Sequence, residues 1–459
     1  MRALESIDPT SGERVAVYAE LDAGALEARL ERARVAQASW ARVTPAERAA
    51  RLLALAQALR ARSEALAELM AREMGKPLAQ GRAEVEKCVA GCEHYAAHGP
   101  AALADEPAAP PRSGAREWVA YRPLGLVLAI MPWNFPLWQV VRCAAPILLA
   151  GNGFLLKHAE NVQGCAAALE ELFLAAGFAP GLFTNLPLTQ ARVSALIGDP
   201  RVAAVTLTGS TRAGRVVAAQ CGAALKKCVL ELGGSDPYLV LADADLALAA
   251  RTSVASRLIN AGQSCIAAKR FLVVKSVARE FTELVVAELR AKTMGDPRTA
   301  VDLGPQARLD LRAALHAQVE RSIAAGARLL AGGALPPGPG SFYPPSVLAG
   351  VTPGMPAFDE ELFGPVAALV EAADERELVR LANATPYGLG AAVFSRDVAR
   401  ATRLAVEELE AGSVFVNDFV RSDPRLPFGG IKASGFGREL GLPGLREFTN
   451  AKTIVVRAE

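Results

Sequence analysis

The stretch Val202-Ala203-Ala204-Val205-Thr206-Leu207-Thr208-Gly209-Ser210-Thr211-Arg212-Ala213-Gly214 passes from an apolar, β-branched run through a glycine-bounded turn into a segment of helical composition. Val202–Thr208 reads as a buried strand and 212–224 as a helix, so the turn at 209–214 sits where a β–α unit reverses. The same alternation extends outward. Leu126–Met131 and 154–157 read as buried strands, and 137–149 and 163–176 read as helices. Repeated β–α–β units of this kind specify a parallel, doubly wound sheet. A second α/β series follows Leu232, with strand-like segments at 270–274, 366–370, 391–394 and Ser413–Val416. Helices at 278–292 and Glu375–Asn383 separate them, and the Gly/Pro-rich stretch 332–345 reads as a surface loop.

Upstream, Asp8-Pro9-Thr10-Ser11-Gly12 is a turn cluster that opens the chain with a hairpin. Thr44-Pro45-Ala46-Glu47 is a capping box with proline at the first helical position, followed by Leu52, Leu53, Leu55, Ala56 and Leu59 at helical spacing. Gly75 and Pro77 are stop signals. The Pro-rich linker 107–111, the strand-like 117–121 and the β-prone tail 453–456 look like additions to the two cores.

The 459 residues suggest about three domains at roughly 150 residues each. With 51% apolar and 21% charged residues, wholesale disorder is excluded. The net charge of +2, from 50 basic and 48 acidic residues, argues against a strongly basic nucleic-acid binder. The first residues carry Arg2, Glu5, Asp8 and Glu13 without an apolar core, unlike a secretory signal. The apolar stretch 123–141 has the length of a short membrane span, but Pro123, Pro132 and Pro136 interrupt its backbone hydrogen bonding. Seven cysteines is an odd number in a long chain, which argues against a disulfide framework and for a reducing, cytoplasmic compartment.

Four features invite chemistry. Cys88, Cys92, His94 and His98 resemble a zinc set, but on a helix the cysteine pair and the histidine pair point about 120° apart. They read as ordinary helix residues, and no metal is expected. The 209–214 turn offers free N–H groups at a helix start to a phosphate, against the alternative of an ordinary β–α turn. Cys265 follows the small, polar run Asn260-Ala261-Gly262-Gln263-Ser264, a setting for a reactive thiolate or for a buried structural cysteine. Glu231, in Leu230-Glu231-Leu232-Gly233-Gly234, is a carboxylate inside an apolar run. That placement suits a general base with a raised pKa, or a carboxylate satisfied by glycine N–H groups.

Taken in order, these windows resemble the aldehyde dehydrogenase family, and within it the bacterial NAD(P)-dependent succinate-semialdehyde dehydrogenases. The series comprises Pro132-Trp133-Asn134-Phe135-Pro136, Lys157-His158-Ala159-Glu160, the 209–214 turn and Leu230-Glu231-Leu232-Gly233-Gly234. It continues with Gly262-Gln263-Ser264-Cys265, Glu361-Leu362-Phe363-Gly364-Pro365 and Pro427-Phe428-Gly429-Gly430. The resemblance implies an α/β fold with a Rossmann-like cofactor domain (1–105 and 122–231), an α/β catalytic domain (232–433), and a small β oligomerisation flap with the C-terminal tail (106–121 and 434–459).

The resemblance also implies oxidation of an aldehyde to an acid through a thiohemiacetal and a thioester on Cys265. Asn134 would hold the oxyanion and Glu231 would activate the hydrolytic water. NAD, with NADP as an alternative, would meet Trp133, Lys157, Glu160, Gly209, Ser210, Leu232, Glu361 and Phe363. Glu160 would repel a 2′-phosphate and favour NAD. Arg142 would clamp a substrate carboxylate, with Arg421 and Ser422 as further polar contacts. Succinate semialdehyde is the implied substrate; another small carboxylated or aliphatic aldehyde, or CoA-acylating chemistry, are the alternatives. Ile259 and Ala267 stand where some relatives carry a second arginine and a second cysteine. A homodimer or homotetramer is the implied assembly.

Overall fold

A computed structural model describes residues 3–109 and 115–457. Pro110 and Pro111 of the expected linker, and the last two residues of the tail, lie outside the described residues.

Two sheets carry the molecule. The first has six strands in the order Gly435–Phe436, Lys227–Glu231, Val202–Thr208, Leu126–Met131, Gly153–His158 and Phe183–Asn185. All are parallel except Gly435–Phe436, which pairs antiparallel with Lys227–Glu231. The chain runs outward from Leu126–Met131 on one side, then restarts at Val202–Thr208 on the other. That reversal opens a crevice at the C-terminal ends of these strands, the place where α/β sheets bind ligands.

The second sheet has seven strands: Arg328–Ala331, Ser346–Ala349, Val366–Ala372, Ala268–Val274, Asp236–Val240, Gly390–Phe394 and Ser413–Val416. Arg328–Ala331 is its antiparallel edge. The central strands of both sheets are buried along nearly their whole length, hence their continuous apolar sequence.

The opening hairpin pairs Ala3–Ile7 with Arg14–Ala19. The capping box forms as read: Thr44 Oγ1 accepts from Glu47 N at 3.3 Å, and Glu47 Oε2 accepts from Thr44 N at 3.0 Å. The 25-residue helix Leu78–Ala102 packs against Pro45–Ala61, Ser63–Met74 and Trp138–Leu149. Its Cys88 and Cys92 are buried, while His94 and His98 stack on each other on its outer side with ring centroids 4.6 Å apart.

The flap is a three-stranded sheet in which Thr449–Arg457 pairs with Ala115–Pro123 over nine residue pairs, and Glu106–Pro107 adds a short third strand. The segment 434–448, expected with the flap, serves the first sheet instead. Gly435–Phe436 extends that sheet, and Gly441–Glu447 is a helix packed on Trp138–Leu149. Only then does the chain enter the flap. No helix among the described residues is long and apolar enough to cross a membrane.

Candidate active site

Cys265 sits at the junction of the two sheets, on a loop whose backbone is wound left-handed. Asn260, Ala261 and Gly262 all have positive φ (53°, 53° and 75°), a conformation that ordinary residues hold only when their surroundings enforce it. A side chain at position 262 would run into the Gly364 carbonyl, so glycine is required there. Hydrogen bonds hold the rest of the loop. Asn260 Nδ2 donates to Asn134 O at 2.7 Å and to Gln263 O at 3.2 Å. Gln263 Oε1 accepts from Ala307 N at 2.8 Å. Lys269 Nζ donates to the carbonyls of Ser264 (2.9 Å) and Cys265 (2.7 Å).

Asn134 lies at the far side of this loop. Its Nδ2 donates to Gln263 O at 3.0 Å, which occupies one N–H and leaves the second. Lys76 Nζ donates to Asn134 O at 2.9 Å and pairs with buried Glu84. Glu84 Oε1 in turn accepts from Leu137 N and Trp138 N, each at 2.9 Å. A carboxylate thus caps the start of the Trp138–Leu149 helix, where the helix dipole favours negative charge. Lys76 and Glu84 position Asn134 from behind, and neither is marked by any sequence motif.

A cavity of about 260 Å³ opens at Cys265, walled in part by Asn134, Gln139, Leu232, Glu361 and Phe363, and by Trp133, Gly209 and Ser210. Trp133 and Phe363 meet edge to face with centroids 5.8 Å apart. Glu361 Oε1 accepts from Gly234 N at 3.1 Å and faces Lys269 at 3.5 Å. Beyond Gly209 a cleft of about 760 Å³ continues past Lys157, Glu160, Arg212 and Arg308, a volume in the range of small-molecule sites. Ser210 caps the Thr211–Ala223 helix through Ala213 N at 3.2 Å, and the N–H groups that open this helix have no carbonyls of their own. Glu160 Oε1 accepts from Gln190 N at 3.2 Å. An elongated cleft with a helix start midway and a carboxylate beside Lys157 at its end fits a dinucleotide.

Glu231 ends its strand 2% exposed, and neither carboxylate oxygen has a hydrogen-bond partner. Its backbone carbonyl accepts from Gly209 N at 2.9 Å, tying it to the helix-start turn. Burial, reinforced by nearby Glu439, pushes its carboxyl well above the usual range, against the opposing pull of Arg142 and Arg438. Burial likewise pushes the Cys265 thiol up to about 12, with Lys269 and Arg142 opposing. The resting thiol therefore keeps its proton, and a buried, basic carboxylate lies close enough to sense its charge.

The three residues expected to contact substrate do not line the Cys265 cavity. Arg142 is 4% exposed and pairs with buried Glu439. It also donates to Thr208 Oγ1 at 3.3 Å, lies over the Phe428 ring at 4.9 Å, and is absent from the Cys265 cavity wall. Its guanidinium thus has an internal counter-ion in Glu439. Arg421 pairs with Asp418 at 2.7 Å and rests on Phe415 and Phe419. Ser422 is buried, accepting from Lys87 Nζ at 2.8 Å and from Trp138 Nε1 at 3.1 Å. Lys87 carries no sequence signal, because a lysine on a helix resembles any solvated residue. Its partner Ser422 is 335 positions away.

A family model described as the aldehyde dehydrogenase family matches residues 1–454. Succinate semialdehyde dehydrogenase [NAD(P)+] Sad of Escherichia coli is 52% identical over 98% of this chain and 97% of its own. Succinate-semialdehyde dehydrogenase [NADP(+)] 1 of Mycobacterium tuberculosis is 45% identical over 98% of this chain and 99% of its own. The structure of succinic semialdehyde dehydrogenase from Streptococcus pyogenes with NADP+ superposes with a TM-score of 0.96 at 35% identity. That match covers 99% of this chain and all of the other.

Proposed function

The chain belongs to the aldehyde dehydrogenase family, and from that premise we propose that it oxidises succinate semialdehyde to succinate with NAD or NADP. The observation that carries the chemistry is the cavity at Cys265, with the Asn134 amide in its wall and the buried Glu231 carboxylate behind it. The substrate follows from relatives named for succinate semialdehyde that align over nearly the whole chain.

Cys265 gives up its proton to solvent, and the thiolate forms the S–C bond with the aldehyde carbon. The carbonyl oxygen, now an oxyanion, accepts from the free N–H of Asn134 Nδ2 and from the Cys265 backbone N–H. When bound, NAD(P)+ supplies the acceptor for the hydride that leaves the thiohemiacetal carbon, and a thioester to Cys265 remains. Glu231 then takes a proton from water, the resulting hydroxide attacks the thioester, and the C–S bond breaks to release the acid. Trp133, Gly209, Ser210, Leu232, Glu361 and Phe363 would hold the cofactor near Cys265, and Lys157 and Glu160 would meet its adenine ribose. Glu160 favours NAD, while Lys157 and Arg308 beside it accommodate NADP.

We read 3–105 with 122–231 as the cofactor half and 232–433 as the catalytic half. The flap's Thr449–Arg457 is a long edge strand with Val455 and Val456 exposed, a liability that a second copy of the chain relieves. The decisive test is the rate of NADH and NADPH formation on succinate semialdehyde, butanal and an amino aldehyde. Preferred turnover of succinate semialdehyde supports the reading. Turnover only with added CoA, or preference for butanal, overturns it.

A further inference from the structure

Lys269 is the second residue of the strand Ala268–Val274, and it is 1% exposed. A buried ammonium is costly unless its N–H groups and its charge are answered. Both are answered here by the surroundings of Cys265. Nζ donates to Ser264 O at 2.9 Å and to Cys265 O at 2.7 Å, and Glu361 Oε1 stands 3.5 Å from it. Asp236, buried on the neighbouring strand, is the second carboxylate that attracts it. Burial lowers the ammonium from its ordinary value, Glu361 and Asp236 act to keep it charged, and the like charge of Arg257 opposes them.

The two carbonyls flank the nucleophile. A peptide is planar and trans, so the Ser264 C=O and the Cys265 N–H lie on opposite edges of one rigid plane. That N–H is one of the two donors assigned to the oxyanion. Fixing the Ser264 oxygen therefore aims the N–H, and an ammonium on the oxygen polarises the peptide toward a stronger donor. The Cys265 carbonyl is confined on another side by Gly234, where a side chain would come within 2.7 Å of its oxygen. Gly234 N donates in turn to Glu361 Oε1 at 3.1 Å, which closes a ring of Lys269, Cys265, Gly234 and Glu361. Charge acts in the same direction. Burial raises the Cys265 thiol, Lys269 followed by Arg142 pulls it back, and Glu361 and Glu231 push it further up.

We propose that Lys269 is the positioning residue of the nucleophile: its ammonium locks the peptides on both sides of Cys265 and supplies positive charge that favours the thiolate and the oxyanion. This deepens the proposed function and rests on its assignment of Cys265 as nucleophile. Lys269 is not in the wall of the Cys265 cavity, so its effect falls on every aldehyde alike.

Alkylation of Cys265 by iodoacetamide, located by peptide mass spectrometry and followed from pH 6 to 10 without cofactor, reads the thiolate. Steady-state rates on succinate semialdehyde and butanal read the oxyanion. Loss of a charged hydrogen-bonding partner corresponds to roughly 10- to 100-fold. Lys269→Gln, which keeps a donor and removes the charge, should slow alkylation at least about tenfold at pH 8 and move its profile to higher pH. It should lower kcat by roughly 10- to 100-fold on both aldehydes, with each KM within about threefold. Lys269→Arg, which keeps the charge, should alkylate within about threefold of wild type, and it carries the test if Lys269→Gln does not fold. Unchanged alkylation in Lys269→Gln, alkylation about tenfold slower in Lys269→Arg, or a kcat loss confined to one aldehyde overturns the inference alone. A wild type whose turnover survives complete alkylation of Cys265, or that forms no reduced cofactor with either aldehyde, overturns the proposed function and the inference with it.

Discussion

The loop that carries Cys265 and the wall that carries Lys87 are built on opposite plans. The Cys265 loop is one continuous run of six residues, three of them left-handed, fixed by hydrogen bonds to its own backbone and by Asn134, Lys269 and Ala307. The Lys87 wall is assembled from three segments far apart in the chain, the Leu78–Ala102 helix, the Trp138–Leu149 helix and the loop at 418–428. The first is over-determined, as a reacting geometry must be. The second joins Lys87, which has no carboxylate partner among the described residues, to a hydroxyl and an indole. Chemistry common to a family can sit on the local element, while selectivity sits where distant segments meet.

The sharpest test of the local element is Cys265→Ala. It should lower kcat by at least about 10⁴-fold on every aldehyde, with the unfolding midpoint close to wild type, because a small residue replaces another at an intermediate position. A residual rate only tenfold down would move the nucleophile elsewhere. Glu231→Gln comes next. Loss of a general base costs typically 10²–10⁴-fold. The variant should release about one reduced cofactor per subunit in a burst and then stall as thioester, measured by rapid mixing and intact mass. A lost burst would assign Glu231 to activating the thiol as well.

Arg142→Leu breaks the contrast most directly, because Arg142 lies between the two regions. Removing it leaves Glu439 buried without its partner beside Glu231. Stability should fall by on the order of 3–5 kcal/mol in denaturant unfolding. Loss of its charge also leaves burial and Glu439 to raise the Glu231 carboxyl unopposed from that side. Activity should fall by a similar factor on succinate semialdehyde and on butanal. A loss confined to succinate semialdehyde would make Arg142 the carboxylate clamp.

Legibility in the sequence follows the same division. Leu126–Met131 and Val202–Thr208 read correctly to the residue because strands buried on both faces are written as unbroken apolar runs. The helix Leu246–Leu258 was not read, because its inward face includes Ser253, Ser256 and Arg257. Ser256 Oγ accepts from Ala268 N at 3.1 Å and Arg257 donates to Gly262 O, so these polar residues are satisfied in the interior and the apolar period is hidden. Among the site residues, the ordered motifs pointed to Cys265, Asn134, Glu361 and Phe363, which share one cavity wall. Charge pairing has no motif. Whether an arginine or a lysine is left without a carboxylate depends on contacts 300 residues apart, such as Arg142 with Glu439 and Lys87 with Ser422.

The smallest expected effect is therefore the most discriminating for the wall. Arg421 and Ser422 are neighbours in sequence and were equal candidates on that ground. In the fold Ser422 turns inward to Lys87, while the Arg421 side chain stays 47% exposed, paired with Asp418 and resting on Phe415 and Phe419. An exposed pair of this kind contributes about 0–1 kcal/mol. Arg421→Ala should change kcat/KM for succinate semialdehyde by less than about threefold and leave the preference over butanal intact. If Arg421→Ala instead raised KM for succinate semialdehyde tenfold with butanal unaffected, the anion would lie on the outer side of the loop.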